Sequence, residues 1–232
     1  IREFPQTQLT IPAEFCIAEA AYRRNQFDDA EKLFIELQTK ITGRREPWLG
    51  MVPLRRGQIL AQKNDWNGAL ALANRIAQEH PNFEKQYEVD YLIGRCLAAQ
   101  GQFDAARTAL KKTIDSPRGN KTETAAMAQW MIGETHMHQK NYELARREYL
   151  TTEILYAYPQ WQAAGLLQAG KCHEQLGQWE QAAQLYSRLL KRYAETPFAA
   201  EATDRLKKAE EKAAGQPVTE LPKPIEATDS VR

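Results

Sequence analysis

Apolar and polar positions along this chain fall into short segments with helical spacing, separated by brief polar breaks. Residues 179–190 place Trp179, Ala182, Ala183, Tyr186, Leu189 and Leu190 on one side of a helix. The segment from Gly94 to Gly101 is also of helical length, and it ends at the break Gly101-Gln102. Similar breaks stand at Asn64-Asp65, Lys140-Asn141 and Gly177-Gln178. No stretch alternates with period two for long enough to predict a strand. The pattern therefore predicts an all-α chain of helices joined by tight turns.

The segments repeat. An aromatic residue stands three places before an alanine at Phe27/Ala30, Trp66/Ala69, Phe103/Ala106, Tyr142/Ala145 and Trp179/Ala182. Successive alanines are 39, 37, 39 and 37 residues apart. Twelve places before the last four alanines stand Gly57, Gly94, Gly133 and Gly170, with Ala18 at that place in the first unit. A period of this length means a solenoid of helix-turn-helix units. The small residues mark close helix crossings, where a larger side chain would hold the backbones apart.

These residues resemble the tetratricopeptide repeat family. The match covers the small residue at position 8, the break near 15, the aromatic at 17 and the alanine at 20. At position 24 the large residue is Phe34, Leu110, Tyr149 or Tyr186, with Ala73 the exception. Prolines near unit ends are Pro81, Pro117, Pro159 and Pro197. The resemblance implies a right-handed α-solenoid of five repeats plus a C-terminal capping helix. The family's usual period is about 34 residues, and this chain runs three to five longer. With closing segments such as Leu155–Pro159 and Lys191–Pro197, the long units look like an envelope subgroup. That subgroup includes the periplasmic coordinator of the Tol–Pal system and the repeat lipoprotein of the barrel-assembly machinery.

The expected organisation follows in chain order. Residues 1–10 read as an extended lead-in, with Thr10 placed to cap the first helix. Five repeats occupy 11–197, at about 11–44, 50–83, 86–119, 122–159 and 161–196. Pro53 predicts a helix start near residue 50 or 51, because a proline deeper inside would break it. Residues 116–121 read as a loop. Thr196-Pro197 predicts the start of a capping helix over 197–214, whose polar outer face closes the stack. Residues 215–232, with three prolines and little to bury, read as a disordered or extended tail.

Charge narrows the partner classes. Thirty-one basic and 30 acidic residues leave a formal charge of +1, so no strong field draws nucleic acid or an anionic membrane. No run of eighteen apolar residues occurs, which excludes a membrane-spanning helix within this chain. The chain begins at Ile1 rather than methionine, so its original start is expected to have been removed, and the absence of a targeting segment here is uninformative. Cys16, Cys96 and Cys172 make no disulfide framework. Cys96 and Cys172 share one unit position and read as small packed residues.

Catalytic residues are not expected. There is no glycine-rich phosphate loop, nucleophile elbow or metalloprotease motif. His136 and His173 occupy the same place in adjacent units, facing the helix seam. A zinc site needs three or four converging ligands, so no metal and no cofactor is expected, and both histidines read as packing residues.

Binding is expected on the inner face. In the resembled family, positions 5, 9 and 12 of each first helix line the groove, and their spacing places them on one stripe. Here the stripe reads Phe15, Glu19, Tyr22; Leu54, Gln58, Ala61; Tyr91, Arg95, Ala98; Trp130, Glu134, Met137; Leu167, Lys171, Glu174. The partner-binding candidates are Glu19, Tyr22, Gln58, Tyr91, Arg95, Trp130, Glu134, Met137, Lys171 and Glu174. Aromatics and arginine are frequent interface anchors, although Tyr91 and Trp130 also suit the wall between units. Relatives that clamp acidic chaperone tails use lysine at position 5 and asparagine at 9, and this chain has neither. A protein or peptide partner of mixed character is expected. Two functional readings stand. One is a non-catalytic scaffold in a bacterial cell envelope, in the periplasm. The other is an accessory module presenting substrate to a cell-wall-processing or ligand-binding protein. The stack's open ends also leave room for pairing with another copy.

Overall fold

The computed structural model describes residues 9–44 and 46–215, and among them eleven α-helices and no strands. The expected lead-in and tail fall mainly on residues 1–8 and 216–232, which lie outside that range. The helices are α1 (Thr10–Arg23), α2 (Phe27–Lys40), α3 (Met51–Gln62), α4 (Trp66–Glu79), α5 (Gln86–Ala99) and α6 (Phe103–Asp115). They continue as α7 (Glu123–His138), α8 (Tyr142–Leu155), α9 (Pro159–Gln175), α10 (Trp179–Arg192) and α11 (Ala199–Ala214). A 3₁₀ turn, Pro47–Gly50, leads into α3 and keeps Pro53 within its first turn.

Each pair turns on a left-handed residue. Asn25, Asn64, Gly101, Lys140 and Gly177 all have φ between 59° and 76°. In each case the next residue's amide reaches five residues back, as from Asn141 to the His136 carbonyl at 2.9 Å. This arrangement satisfies carbonyls that a helix end leaves open. At one of the five positions the residue is a lysine.

In units three to five the glycine face of the first helix is filled from the second helix. A Cβ at Gly94 would stand 2.6 Å from Leu110, and one at Gly133 would stand 2.6 Å from the Tyr149 ring. Tyr186 fills the same place over Gly170. In unit two the large residue is replaced by Ala73, and Leu92 of α5 covers Gly57 instead. Burying a side chain such as Leu92 or Leu110 contributes about 1.5–3 kcal/mol.

Successive helices pack in order, and the first helices also touch one another: α1 on α3, α3 on α5, α5 on α7 and α7 on α9. Second helices make no comparable contact among the described residues. The row whose members touch follows the shorter path, so the first helices line the inner side of the curve.

Three local expectations need correction. Thr10 is the first residue of α1, and Leu9 holds the cap position. Pro159 opens α9 rather than closing unit four, in keeping with proline's tolerance at a first helical position. The last helix begins at Ala199, two residues later than Thr196-Pro197 predicts. The Thr196 hydroxyl donates back to the Tyr193 carbonyl at 2.7 Å, which uses it to close α10.

Candidate partner-binding groove

At the N-terminal end of the inner face, Arg55 of α3 reaches back to α1. Its Nε and Nη2 donate to the Glu19 carboxylate at 2.7 and 3.1 Å, and its Nη1 donates to Gln58 Oε1 at 2.6 Å. The guanidinium also lies 3.6 Å from Glu88 of α5 and 5.0 Å above the Tyr22 ring. Tyr22 donates to the same Gln58 oxygen at 3.4 Å. Burial pushes the Glu19 carboxyl up, but Arg55 and Arg23 outweigh it and hold the group below its ordinary value. Glu19, Tyr22 and Gln58 are thus brought together around Arg55, which the stripe did not include.

The middle of the face differs. Tyr91 is only 8% exposed and packs with Leu110, Ala128 and Ile132, so it belongs to the wall between units. Burial pushes its hydroxyl up to about 12, against the pull of Arg95. Arg95 is half-buried, with its charge 5.9 Å from the Trp66 ring and 5.9 Å from the Tyr91 ring. It has no ion pair or hydrogen bond to another side chain among the described residues. Burial raises the Tyr22 hydroxyl, against the pull of Arg55 and, less strongly, of Arg95.

Trp130 of α7 lies against Tyr149 and Trp161, with ring centroids 6.1 and 5.8 Å away. Its indole nitrogen is buried and has no acceptor. Glu134 accepts from the Tyr149 hydroxyl and from Gln168 Nε2 at 3.0 Å. Met137 packs beside Cys172, sulfur to sulfur at 3.9 Å. Between α5 and α7, where the turns of units two and three meet, lies a cavity of about 240 Å³. Trp66, Arg95, Phe103, Trp130, Glu134 and His138 line it, with His138 stacked on Phe103 at 5.8 Å.

The C-terminal stations are taken. Lys171 Nζ pairs with Glu201 of α11 at 2.8 Å. Glu174 accepts from the Tyr186 hydroxyl at 2.6 Å and from Arg205 of α11 at 2.9 Å. Of the stripe residues, Tyr91 is buried in the wall, and Lys171 and Glu174 are partly exposed but paired within the chain. Trp66 and Phe103, which the pattern gave only as repeat aromatics, also line this face.

Away from this face, Glu153 of α8 is 2% exposed and binds Arg188 and Arg192 of α10 at 2.9 and 2.8 Å. His173 Nδ1 lies 2.6 Å from Gln178 Oε1, while His136 Nδ1 is buried without a partner. Among the described residues, no three His, Cys, Asp or Glu side chains are grouped to hold a metal ion. No described helix is long and apolar enough to cross a membrane.

Residues 91–160 and 164–196 each match a family model of tetratricopeptide repeats. The tetratricopeptide repeat family is thereby supported. No curated protein matches the chain. Among solved structures, the C-terminal part of a tetratricopeptide repeat-containing protein from Cytophaga hutchinsonii is similar at a TM-score of 0.67 and 14% identity, covering 86% of this chain and 71% of that one. The BtubC protein of P. vanneervenii reaches 0.64 at 13% identity, covering 100% of this chain and 91% of its own. A thermophilic tetratricopeptide protein of Thermus thermophilus reaches 0.59 at 12%, covering 86% and 98%. These likenesses show the solenoid fold. The two matched stretches begin at α5, and α1–α4 continue the same frame of small, aromatic and alanine positions. Tetratricopeptide repeats make protein-interaction scaffolds, and such folds are typically non-catalytic.

Proposed function

We propose that this protein is a scaffold whose inner face holds an extended segment of a protein partner, within a bacterial cell-envelope assembly. One observation carries the groove reading. The first helices form a continuous inner row, and its middle presents the Arg95 guanidinium, which pairs with no described side-chain acceptor, beside the rings of Trp66, Phe103 and Trp130. Stacked repeats commonly bind along such a surface. Aromatic and arginine anchors in a partly desolvated pocket supply the larger share of affinity in protein interfaces. The near-neutral charge gives no phosphate track, which favours a protein over a nucleic acid. The envelope setting rests on the unit length of 37 to 39 residues and on the closing segments described above.

Affinity capture from the protein's own cells tests this, with wild type beside a Tyr22→Ala/Arg95→Ala/Trp130→Ala variant. Exposed Leu155→Ala on α8 serves as a surface control. The expected result is a partner retained by wild type and by the control and lost from the triple variant. A folded triple variant that keeps every partner refutes the groove. Cell fractionation tests the setting, and recovery of the native protein only in the cytoplasm refutes the envelope assignment.

A further inference from the structure

The geometry points to a specific occupant for the 240 Å³ cavity beside Arg95: an aromatic or aliphatic side chain adjoining an internal Asp or Glu of an extended peptide. This inference rests on the inner face being the partner surface and names the chemistry that one part of it recognises. Arg95 carries the argument. A guanidinium presents five donors in one plane, and contacts with ring faces engage its charge without supplying an acceptor. Three other partly buried arginines in the stack have acceptors, whereas Arg56 of α3, whose Nε is buried without one, does not line the cavity. Arg55 holds Glu19 and Gln58, Arg107 holds Asp104, Thr135 and Gln139, and Arg205 holds Glu174 and Glu201. Arg95 holds only the rings of Trp66 and Tyr91.

The acid nearest to hand does not complete it. Glu134 lines the same cavity, but its Oε1 accepts from Tyr149 and Gln168, and it forms no ion pair with Arg95. The ring of Trp130 forms part of the wall, while its indole N–H is buried and has no acceptor. A carboxylate is the acceptor that suits a forked guanidinium best, because two N–H groups meet its two oxygens. The remaining wall is mostly apolar, from Trp66, Ala98, Ala99, Phe103 and Met131, with Thr135 and His138 as its polar members. The space equals the volume of about eight waters, enough for one large side chain and not for a folded element. The inner row continues on both sides, to Tyr22 and Arg55 in one direction and to Glu134 and Gln168 in the other. A chain that passes through, and not a chain end, matches that layout.

The test uses end-blocked dodecapeptides with Gly/Ser/Asn flanks and a central Phe-Glu, Phe-Gln or Ala-Glu, each titrated by NMR against the ¹⁵N-labelled protein. A fourth peptide carries Phe-Glu at a free C-terminus. The expected outcome is that the internal Phe-Glu peptide shifts the Trp66 and Trp130 indole signals. It should bind about tenfold or more tightly than the Phe-Gln and Ala-Glu peptides, since an ion-paired hydrogen bond and an apolar contact are each lost in turn. Arg95→Gln should abolish the preference for Glu over Gln with an unchanged melting curve, and Arg95→Lys should retain part of it. A preference that survives Arg95→Gln, or a free terminus that outbinds the internal peptide tenfold, overturns the proposal. Equal binding of Phe-Glu and Phe-Gln with the same indole shifts overturns the carboxylate assignment and leaves the groove standing. No indole shift with any peptide overturns the subsite, and the capture experiment then decides the groove by itself.

Discussion

Replacing Gly133 by alanine separates two kinds of glycine that look identical in the repeat. A Cβ there would stand 2.6 Å from two carbons of the Tyr149 ring and 3.0 Å from a third. That ring is fully buried, and its hydroxyl is tied to Glu134, which also holds Gln168. It has no direction in which to yield without straining a hydrogen bond to a charged group. Overpacking of this kind costs about 1–3 kcal/mol, and loosening the hydroxyl contact adds up to about 1.5. The better helix propensity of alanine returns about 1 kcal/mol. The terms sum to a net loss of about 0–3.5 kcal/mol, centred on about 2 because the pinned ring engages the hydroxyl contact as well. At Gly57 the added carbon meets Leu92 Cδ2 at 2.9 Å, the end of a flexible side chain, and then the Ala69 carbonyl at 3.5 Å. There the propensity gain and the small displacement nearly cancel, leaving the variant within about 0.5–1 kcal/mol of wild type. Urea denaturation followed by circular dichroism compares the two variants. Hydrogen exchange localises any loss, which in a solenoid should centre on the α7–α8 pair and its neighbours. Equal losses at the two glycines, or a neutral Gly133→Ala, would refute the distinction between a pinned ring and a yielding methyl.

Other perturbations probe other contacts. Burial lowers the proton affinity of His173, with Arg146 adding to it and Gln178 and Glu143 opposing it. His136 is lowered by burial and by Arg107, Arg147 and Lys111, against Glu148. The unfolded chain then binds more protons below about pH 6.5, so stability is complete above that value and falls as pH drops towards the folded-state pKa. Urea midpoints at pH 7.5 and 5.5 should show this loss, and His173→Gln should reduce it. Glu153→Gln leaves Arg188 and Arg192 without their carboxylate. Breaking a buried pair costs about 3–5 kcal/mol, reduced here to about 1–3 because both arginines are roughly half exposed and regain water. Faster hydrogen exchange in α8 and α10 would report it. Lys140 has φ +60°, so Lys140→Gly should stabilise by up to about 1 kcal/mol, read as a higher urea midpoint.

The repeat frame was visible in the chain because small and aromatic residues hold fixed places in every unit, and a steric requirement at a helix crossing leaves a sequence mark. Which side chain fills each glycine face was legible for Leu110, Tyr149 and Tyr186. It was hidden for Gly57, since Leu92 arrives from the following unit. The stripe at positions 5, 9 and 12 states which residues share a face and says nothing of depth. Tyr91 points into the wall and Arg95, one turn further, stays half-buried beside two rings. Ion pairs were the least legible. Arg55 to Glu19 spans 36 residues and Arg205 to Glu174 spans 31, reaches set by long side chains across a helix gap. Nothing in the repeat pattern singles out Glu153, whose distance from water follows from α10 lying over it.

The last helix explains why the free chemistry gathers in the middle of the row. α11 packs on α10 as the first helix of a sixth unit would, with Ala202, Leu206 and Ala209 in the cluster of Tyr186 and Leu189. Arg205 reaches Glu174 across the inner face much as Arg55 reaches Glu19. Among the described residues no second helix follows it, and Lys207, Lys208, Glu210 and Glu211 are exposed. The lid therefore closes the apolar end of the stack and, by the same contacts, satisfies Lys171 and Glu174. At the other end Arg55 satisfies Glu19 and Gln58. A polar group already bonded within the chain gains little by exchanging that bond for one to a partner, so both ends of the row have little left to offer. Between them, the Arg95 guanidinium keeps donors that no described side chain accepts and gains from an acceptor brought from outside.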